Sequence, residues 1–141
     1  MIHTQMEKVV GAVPGTVGSS AVTLTVDTLG WDLVSFAALR ASNAATTFAS
    51  VLKVEDSNDN STFTAVPGLT GGTDFTIAAV SNTSAEALYT IDVDAKARKR
   101  YLKLTVTPSA SINMVACARL SRGENTPTTA AEAGCIGWVV G

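Results

Sequence analysis

The stretch "YLKLTVTP", Tyr101–Pro108, decides the fold of this chain. Apolar and polar side chains alternate along it, with a leucine or a valine at every even position from 102 to 106. Successive side chains of a β-strand point to opposite faces, so this alternation predicts a strand with one buried face. Pro108 has no amide hydrogen to donate to a neighbouring strand, and it therefore predicts the end of the strand.

Outward from this stretch, two more segments show the same alternation, 22–27 and 87–94. Helix-forming residues also occur in 84–97, but its β-branched and aromatic residues favour a strand. Four other segments are apolar without clean alternation and rich in Val, Phe, Ile and small residues, which predicts buried strands. These four segments are 33–39, 48–54, 75–80 and 112–120.

The segment "VEDSNDNSTF", 54–63, separates two apolar stretches, and its acidic and amide residues are spaced as in an EF-hand calcium loop. Ser61 and Pro67 stand where that loop needs Gly and Glu, which argues against calcium. Asp, Asn and Ser favour tight turns. We therefore predict a hairpin that pairs 51–55 with 63–66, followed by an irregular run, "PGLTGGTD".

Short strands separated by turns, with no repeat at a fixed period, predict an all-β fold. We expect an antiparallel β-sandwich or jelly roll with extended N- and C-terminal segments. The expected organisation is an N-terminal arm over 1–18, a β-sandwich domain over 19–121, and a C-terminal arm or added strand over 122–141. In the last part, 128–134 is predicted to form at most a single turn capped by Gly134.

The composition favours a protein whose surface is partly covered by partners. Hydrophobic residues make up 46% of the 141 residues and charged residues only 16%, which is a low charge density for an isolated protein. The net charge of −2 provides no general attraction to nucleic acid or to an anionic membrane. The N-terminal sequence lacks the pattern of a signal peptide, so we expect a protein made in the cytoplasm. Whether Cys117 and Cys135 pair is left open.

Residues for chemistry are scarce. The single histidine is His3, so a Ser-His-Asp or Cys-His site is not expected. Asp92 and Asp94 share a strand face, as an acid–base or metal pair would, but a solvated strand edge is the favoured interpretation. No phosphate-binding glycine loop occurs. We expect no enzymatic activity, no metal and no cofactor.

Two regions are candidates for contacts with a partner. The cluster "KARKR" places Lys96, Arg98, Lys99 and Arg100 within five positions. It fits a solvated turn or a contact with an acidic protein surface, and nucleic acid is the least favoured of its partners because no aromatic residues are interleaved. The C-terminal sequence "CIGWVVG" ends in exposed apolar residues unless it adds a strand or reaches a neighbouring subunit. Its candidate contact residues are Ile136, Trp138 and Val139.

Three longer segments are "VDTLGWDLVSFAALRA", 26–41, "LKVEDSNDNSTFTAVPG", 52–68, and "RKRYLKLTVTPSA", 98–110. They resemble, in turn, the opening strands, the hairpin and a later strand of a family of small virion proteins of tailed phages. Asn60 stands where the family has a turn Gly. The resemblance implies a β-sandwich decoration or cement protein that is located on the virion, binds the major capsid protein and forms a homotrimer, with no membrane contact.

A second hypothesis is a carbohydrate- or receptor-binding β-sandwich module of a head fibre or tail. This hypothesis requires Trp31 and Trp138 to face solvent beside polar loops, because sugar rings stack on exposed aromatic faces.

Overall fold

Eight antiparallel strands form the fold in a computed structural model that describes residues 7–14, 20–80, 83–137 and 139. Their alternating burial follows the alternation of the sequence, most regularly in the second and seventh strands. The strands are β1 (Lys8–Pro14), β2 (Val22–Asp27), β3 (Trp31–Arg40), β4 (Val51–Ser57), β5 (Thr64–Thr70), β6 (Ala87–Asp94), β7 (Tyr101–Thr107) and β8 (Met114–Gly123).

The strands form two four-stranded sheets. Sheet A has the order β1-β8-β3-β6 and sheet B the order β2-β7-β4-β5. The pairings β1 with β8, β2 with β7, β3 with β6 and β4 with β5 are those of a hairpin rolled up on itself, which is the jelly-roll arrangement. The predicted all-β fold class is confirmed.

The core lies between the two sheets. The inner side chains of β7, at 102, 104 and 106, are at most 1% exposed, and they share the core with Val34 and Phe36 of β3. Burial of each such side chain contributes about 1.5–3 kcal/mol. The two-residue alternation thus gives each sheet one apolar face, and the apolar faces of the two sheets pack against each other.

Two predictions about local structure are wrong. The run "PGLTGGTD" is not wholly irregular, because β5 continues through Pro67 and Gly68 to Thr70. β5 lies at the edge of sheet B and pairs through a register shift, where a missing amide hydrogen and a left-handed glycine are tolerated. The predicted strand at 75–80 is a loop with isolated bridges, and its side chains at Phe75 and Ile77 pack against the core without joining a sheet.

Two predicted boundaries shift. The predicted strand at 48–54 is observed as β4, which begins at Val51 and continues to Ser57, while Phe48 is buried in the preceding loop. The predicted strand at 112–120 is observed as β8, which begins at Met114 and continues to Gly123. The two strands predicted at 33–39 and 87–94 are confirmed as β3 and β6.

The hairpin between β4 and β5 is confirmed. Asp59 closes its loop, because its Oδ1 accepts hydrogen bonds from the amides of Ser61 and Thr62 and from the Ser57 hydroxyl at 2.7–3.0 Å. Asn60 has a positive φ of 57° at the position of the family's glycine. The acidic loop is therefore a turn held by its own side chains, as its composition predicts.

The N-terminal region supplies the edge strand of sheet A, and the C-terminal region lies against that strand. Residues 8–14, within the predicted N-terminal arm, form β1. After β8 the chain makes a turn in which the Cys135 amide donates to the Ala130 carbonyl at 2.9 Å and Gly134 takes a positive φ of 78°. The Val9 amide donates to the Ala133 carbonyl at 2.8 Å, so this turn lies against the edge of β1.

Candidate functional site

The outer faces of the two sheets differ in chemistry. The outer face of sheet B carries threonines and charged residues, among them the largely covered Glu55, which lies 2.9 Å from Lys53 and 3.1 Å from Lys103. Burial raises the pKa of Glu55, but the hydrogen bonds from the two lysines outweigh it and hold the pKa below its usual value. A face of this kind is stable in contact with water.

The outer face of sheet A is largely apolar. The register places Val115 of β8, Leu39 of β3 and Leu88 of β6 side by side in one row. Their exposed fractions are 37%, 44% and 62%, and Val9 of β1 adds another exposed apolar side chain on the same face. We call this surface, with the small residues at its centre, the apolar face.

Small side chains form the centre of the apolar face. Cys117, Ala37 and Thr90 lie side by side in the next row. They form the floor of a shallow depression of about 290 Å³ whose rim includes Val9 and Arg119. A neighbouring surface can therefore approach the backbone of β3 and β8 closely.

A polar row borders the apolar face toward the β6–β7 turn. Its polar members are Arg119 on β8, Ser35 on β3 and Asp92 on β6, and Val9 of β1 begins the same row. The Ser35 hydroxyl donates to Asp92 at 2.6 Å, and the exposed Arg119 lies 3.6 Å from Glu7. The row thus has a cation on β8, which is paired with Glu7, and an anion on β6 of the same outer face.

The sequence carries a signal for this face that is easily misread. β3 and β8 lack polar alternation, which is typical of strands buried on both faces. In the structure, the inner face of each of these strands packs in the core, and no strand or helix of the described residues lies over the outer face. The missing alternation therefore corresponds to an outer face that is apolar and that no described strand or helix covers.

The basic turn between β6 and β7 is largely neutralised within the chain. Lys96 lies 3.0 Å from Asp32 and Lys99 lies 3.2 Å from Asp56. Arg100 forms two hydrogen bonds of 2.9 and 2.6 Å to Asp27, which hold the pKa of that carboxyl below its usual value. These three cations are less available to an acidic partner than the sequence suggests.

The remaining predicted contact residues have different environments. Arg98 is half-buried and its Nε has no hydrogen-bond partner among the described residues. Ile136 and Val139 are almost fully exposed, and Trp138 lies outside the described residues. A contact role for these residues and for the basic turn stays a prediction.

Trp31 lines a groove of about 350 Å³ at the end of the sandwich where β8 leaves sheet A. Its half-buried ring lies against Gly123, where an added Cβ would come within 2.7 Å of the ring. The groove also has amide, hydroxyl and carboxylate groups, and Glu132 accepts hydrogen bonds from the amide and hydroxyl of Thr128 at 2.7 and 2.9 Å. The other lining residues are Lys8, Asn125, Thr126 and Pro127.

The carboxylates considered for chemistry have structural partners. Asp92 accepts the Ser35 hydroxyl, and Asp94 accepts the Lys96 amide at 3.0 Å in the turn after β6. Within 7–14, 20–80, 83–137 and 139, no group of three metal-ligating side chains comes together. In the same residues no helix is long and apolar enough to cross a membrane. Cys117 and Cys135 are free thiols.

A scan against protein-family models and a search of curated proteins found no match. Among solved structures, the chain is similar to CBM32-1 of a family 31 glycoside hydrolase from Clostridium perfringens, at 17% identity and a TM-score of 0.44, over 79% of this chain and 76% of that one. CBM32-3 of a family 31 glycoside hydrolase from the same organism matches at 16% identity and a TM-score of 0.41, over 86% of this chain and 94% of that one. A protein of the disulfide-linked pili of Bacillus endospore appendages matches at 15% identity and a TM-score of 0.37, over 82% of this chain and 89% of that one. At these values the likeness concerns the β-sandwich fold and not what this chain binds.

Proposed function

We propose that this chain is a structural protein that binds and stabilises a protein shell, as capsid decoration and cement proteins do. The observation that carries the proposal is the apolar face. Leu39, Leu88 and Val115 form a contiguous exposed row on a regular sheet, and burial of apolar surface is worth about 25 cal/mol per Å². Such a surface is typical of a protein that works in contact with other protein chains.

The resemblance of three sequence segments to small virion proteins of tailed phages supports the same function. The fold alone does not choose among functions, because jelly rolls occur both in capsid proteins and in lectins. The proposal therefore depends on the chemistry of the surface and on the resemblance together.

A protein of this kind stabilises its shell by binding only the assembled state, which shifts the assembly equilibrium. Several weak contacts made at once give durable attachment. We propose that the exposed C-terminal residues Ile136 and Val139 contact the shell together with the exposed, ion-paired Lys96. The apolar face would be covered in the same assembly.

Sedimentation of purified protein with shells that lack it tests the proposal. We expect the protein to sediment with the shells and to raise the temperature at which they break open. Removal of residues 136–141 and the substitution Leu88→Asp should each weaken binding at least tenfold, whereas Thr23→Asp on the polar outer face of sheet B should not. Wild-type protein that stays in the supernatant at all concentrations would overturn the proposal.

The groove beside Trp31 favours a second candidate, a carbohydrate-binding module. An aromatic ring together with amide, hydroxyl and carboxylate groups is the combination that binds sugars, which need stacking and hydrogen bonds at once. The ring is half-buried against Gly123, so only its remaining surface is available for stacking.

A glycan array tests this candidate. We expect binding that is lost with Trp31→Ala and weakened with Asn125→Ala, a change at an exposed position that leaves the core intact. Thr25→Ala on sheet B serves as the control. Absence of binding to any glycan, or binding that persists in the Asn125→Ala and Trp31→Ala variants, would contradict it.

A further inference from the structure

We propose that the apolar face of sheet A binds the same face of a second copy of this chain, in a pair with a two-fold axis parallel to β3 and β8. The inference rests on the proposed function only in assigning this face to protein contacts.

The distribution of charge in the polar row points to a second copy. Arg119 lies on β8 and Asp92 on β6, on opposite sides of a line between β8 and β3. A two-fold axis along that line places β8 over β3 of the second copy and β1 over its β6. Arg119 of each copy then lies about one strand spacing, roughly 4.8 Å, to the side of Asp92 of the other. Each Arg119 thus has Asp92 of the other copy beside it in addition to Glu7 of its own, and the two-fold axis repeats this contact, as in a self-complementary interface.

The apolar rows match under the same axis. Val115 of one copy comes to lie over Leu39 of the other, and Cys117 over Ala37, because each pair occupies neighbouring central strands in register. The small side chains of the central row allow close approach. Aligned sheets of two sandwiches pack in this way about 10 Å apart.

The size of the face sets the expected strength of the pair. Four strands spaced about 4.8 Å apart and roughly seven residues long cover about 450 Å² on each copy. The total of roughly 900 Å² is smaller than the standard interface of about 1,600 Å². We therefore expect a pair that dissociates on dilution in the micromolar range and becomes permanent when both copies are held on one lattice.

Sedimentation equilibrium of the isolated full chain, without any shell, tests the inference. The wild-type protein should change from monomer to dimer with rising concentration. Leu39→Asp should weaken dimerisation at least a hundredfold, because it places a carboxylate opposite Val115 of the other copy. Arg119→Gln and Asp92→Asn should each weaken it about tenfold, and the double substitution should weaken it no more than either one alone, because both remove the same contact. Thr25→Asp is the control, and circular dichroism confirms that each variant is folded.

Several results would overturn the inference: a monomer at every concentration, a trimer, or a dimer that Leu39→Asp leaves unchanged. Its failure is distinguishable from failure of the proposed function, since a monomer that still sediments with shells refutes only the pairing. If the protein is such a monomer and Leu39→Asp abolishes its binding to shells, the face docks on the shell protein and not on a second copy.

Discussion

At the scale of single residues, Arg40 is the largest fully buried side chain among the described residues. Its guanidinium donates to the backbone carbonyls of Thr47, Ala45 and Asn43 at 2.7, 2.9 and 3.3 Å. The planar, fork-shaped group serves several acceptors at once and thereby holds the loop after β3 in place.

We expect Arg40→Met to lower the free energy of unfolding by about 3 kcal/mol, because buried carbonyls lose their donor. Arg40→Lys should recover only part of this loss, since an ammonium group cannot reach all the acceptors. Urea unfolding measures both. Arg100→Met, at an exposed ion pair, is the control and should change the midpoint far less. Equal effects of the two Met substitutions would contradict the role of Arg40.

Asp59 gives the stability a predictable dependence on pH. The amide of Thr62, the hydroxyl of Ser57 and the amide of Ser61 donate to its carboxylate and hold its pKa far below the ordinary value of 3.8. A carboxyl whose pKa is lower in the folded state stabilises the fold above its unfolded pKa, and this contribution is lost as the pH falls toward the folded pKa.

We expect Asp59→Ala to lower the melting temperature at pH 7, and the difference from wild type to shrink as the pH falls below about 3.8. Calorimetry from pH 7 to pH 2 measures this. Asn58→Ala, in the same exposed loop, is the control. A difference that stays constant over this pH range would show that the carboxylate charge has no part in the effect.

At the scale of elements, two glycines with positive φ allow the cost of backbone strain to be distinguished from the cost of a steric collision. Gly68 in β5 has a φ of 84° and open space where a Cβ would lie. Gly134 has a φ of 78°, and a Cβ there would collide with the Val9 carbonyl. Only the second glycine secures the C-terminal segment against β1.

We therefore expect Gly68→Ala to cost about 1 kcal/mol in unfolding free energy, which is the cost of a left-handed conformation alone. Gly134→Ala should cost more and should release the segment after β8 from the edge of β1. Hydrogen exchange at the Val9 amide reports that release, because this amide donates to Ala133. Unchanged protection of Val9 in Gly134→Ala would contradict the packing of this segment.

The elements also show what could be predicted from the sequence. Strands with clean alternation, β2 and β7, could be predicted because their periodicity is a local property of the chain. The extension of β5 through Pro67 and Gly68 could not, because only its place at the edge of sheet B makes those residues tolerable. The loop at 75–80 has the composition of a strand but finds only isolated bridges, and periodicity does not reveal which segments find partners.

In the candidate site, too, local patterns could be predicted from the sequence, whereas contacts between distant segments could not. The apolar character of β3 and β8 is visible in the sequence, but the row formed by Val115, Leu39 and Leu88 depends on the registers of three strands distant in sequence. The basic turn was predicted from its composition, whereas its ion pairs with Asp27, Asp32 and Asp56 come from other segments and could not be foreseen.

At the scale of the whole molecule, the chain crosses repeatedly between the two sheets, so neither sheet is a continuous segment. We expect a single cooperative unfolding transition, with far- and near-ultraviolet circular dichroism changing together in urea. Phe36→Ala in sheet A and Leu104→Ala in sheet B should each lower the free energy of unfolding by about 3 kcal/mol. Each substitution should therefore shift both signals to lower urea concentrations. Separate transitions for the two signals would contradict a shared core.

The surface of the whole molecule divides by chemistry. Sheet B presents a charged, solvated face, sheet A presents the apolar face, and the exposed Ile136 and Val139 lie beyond the turn at the edge of β1. The proposed position between other protein chains would cover the apolar face and leave the charged face in water.

Cryo-electron microscopy of a shell with the protein bound tests this account most directly. We predict a jelly roll whose sheet A packs face to face with sheet A of another copy, with Arg119 of each beside Asp92 of the other. A copy bound to the shell with Leu39 and Leu88 open to solvent, or a shell that carries no copy at all, would contradict it.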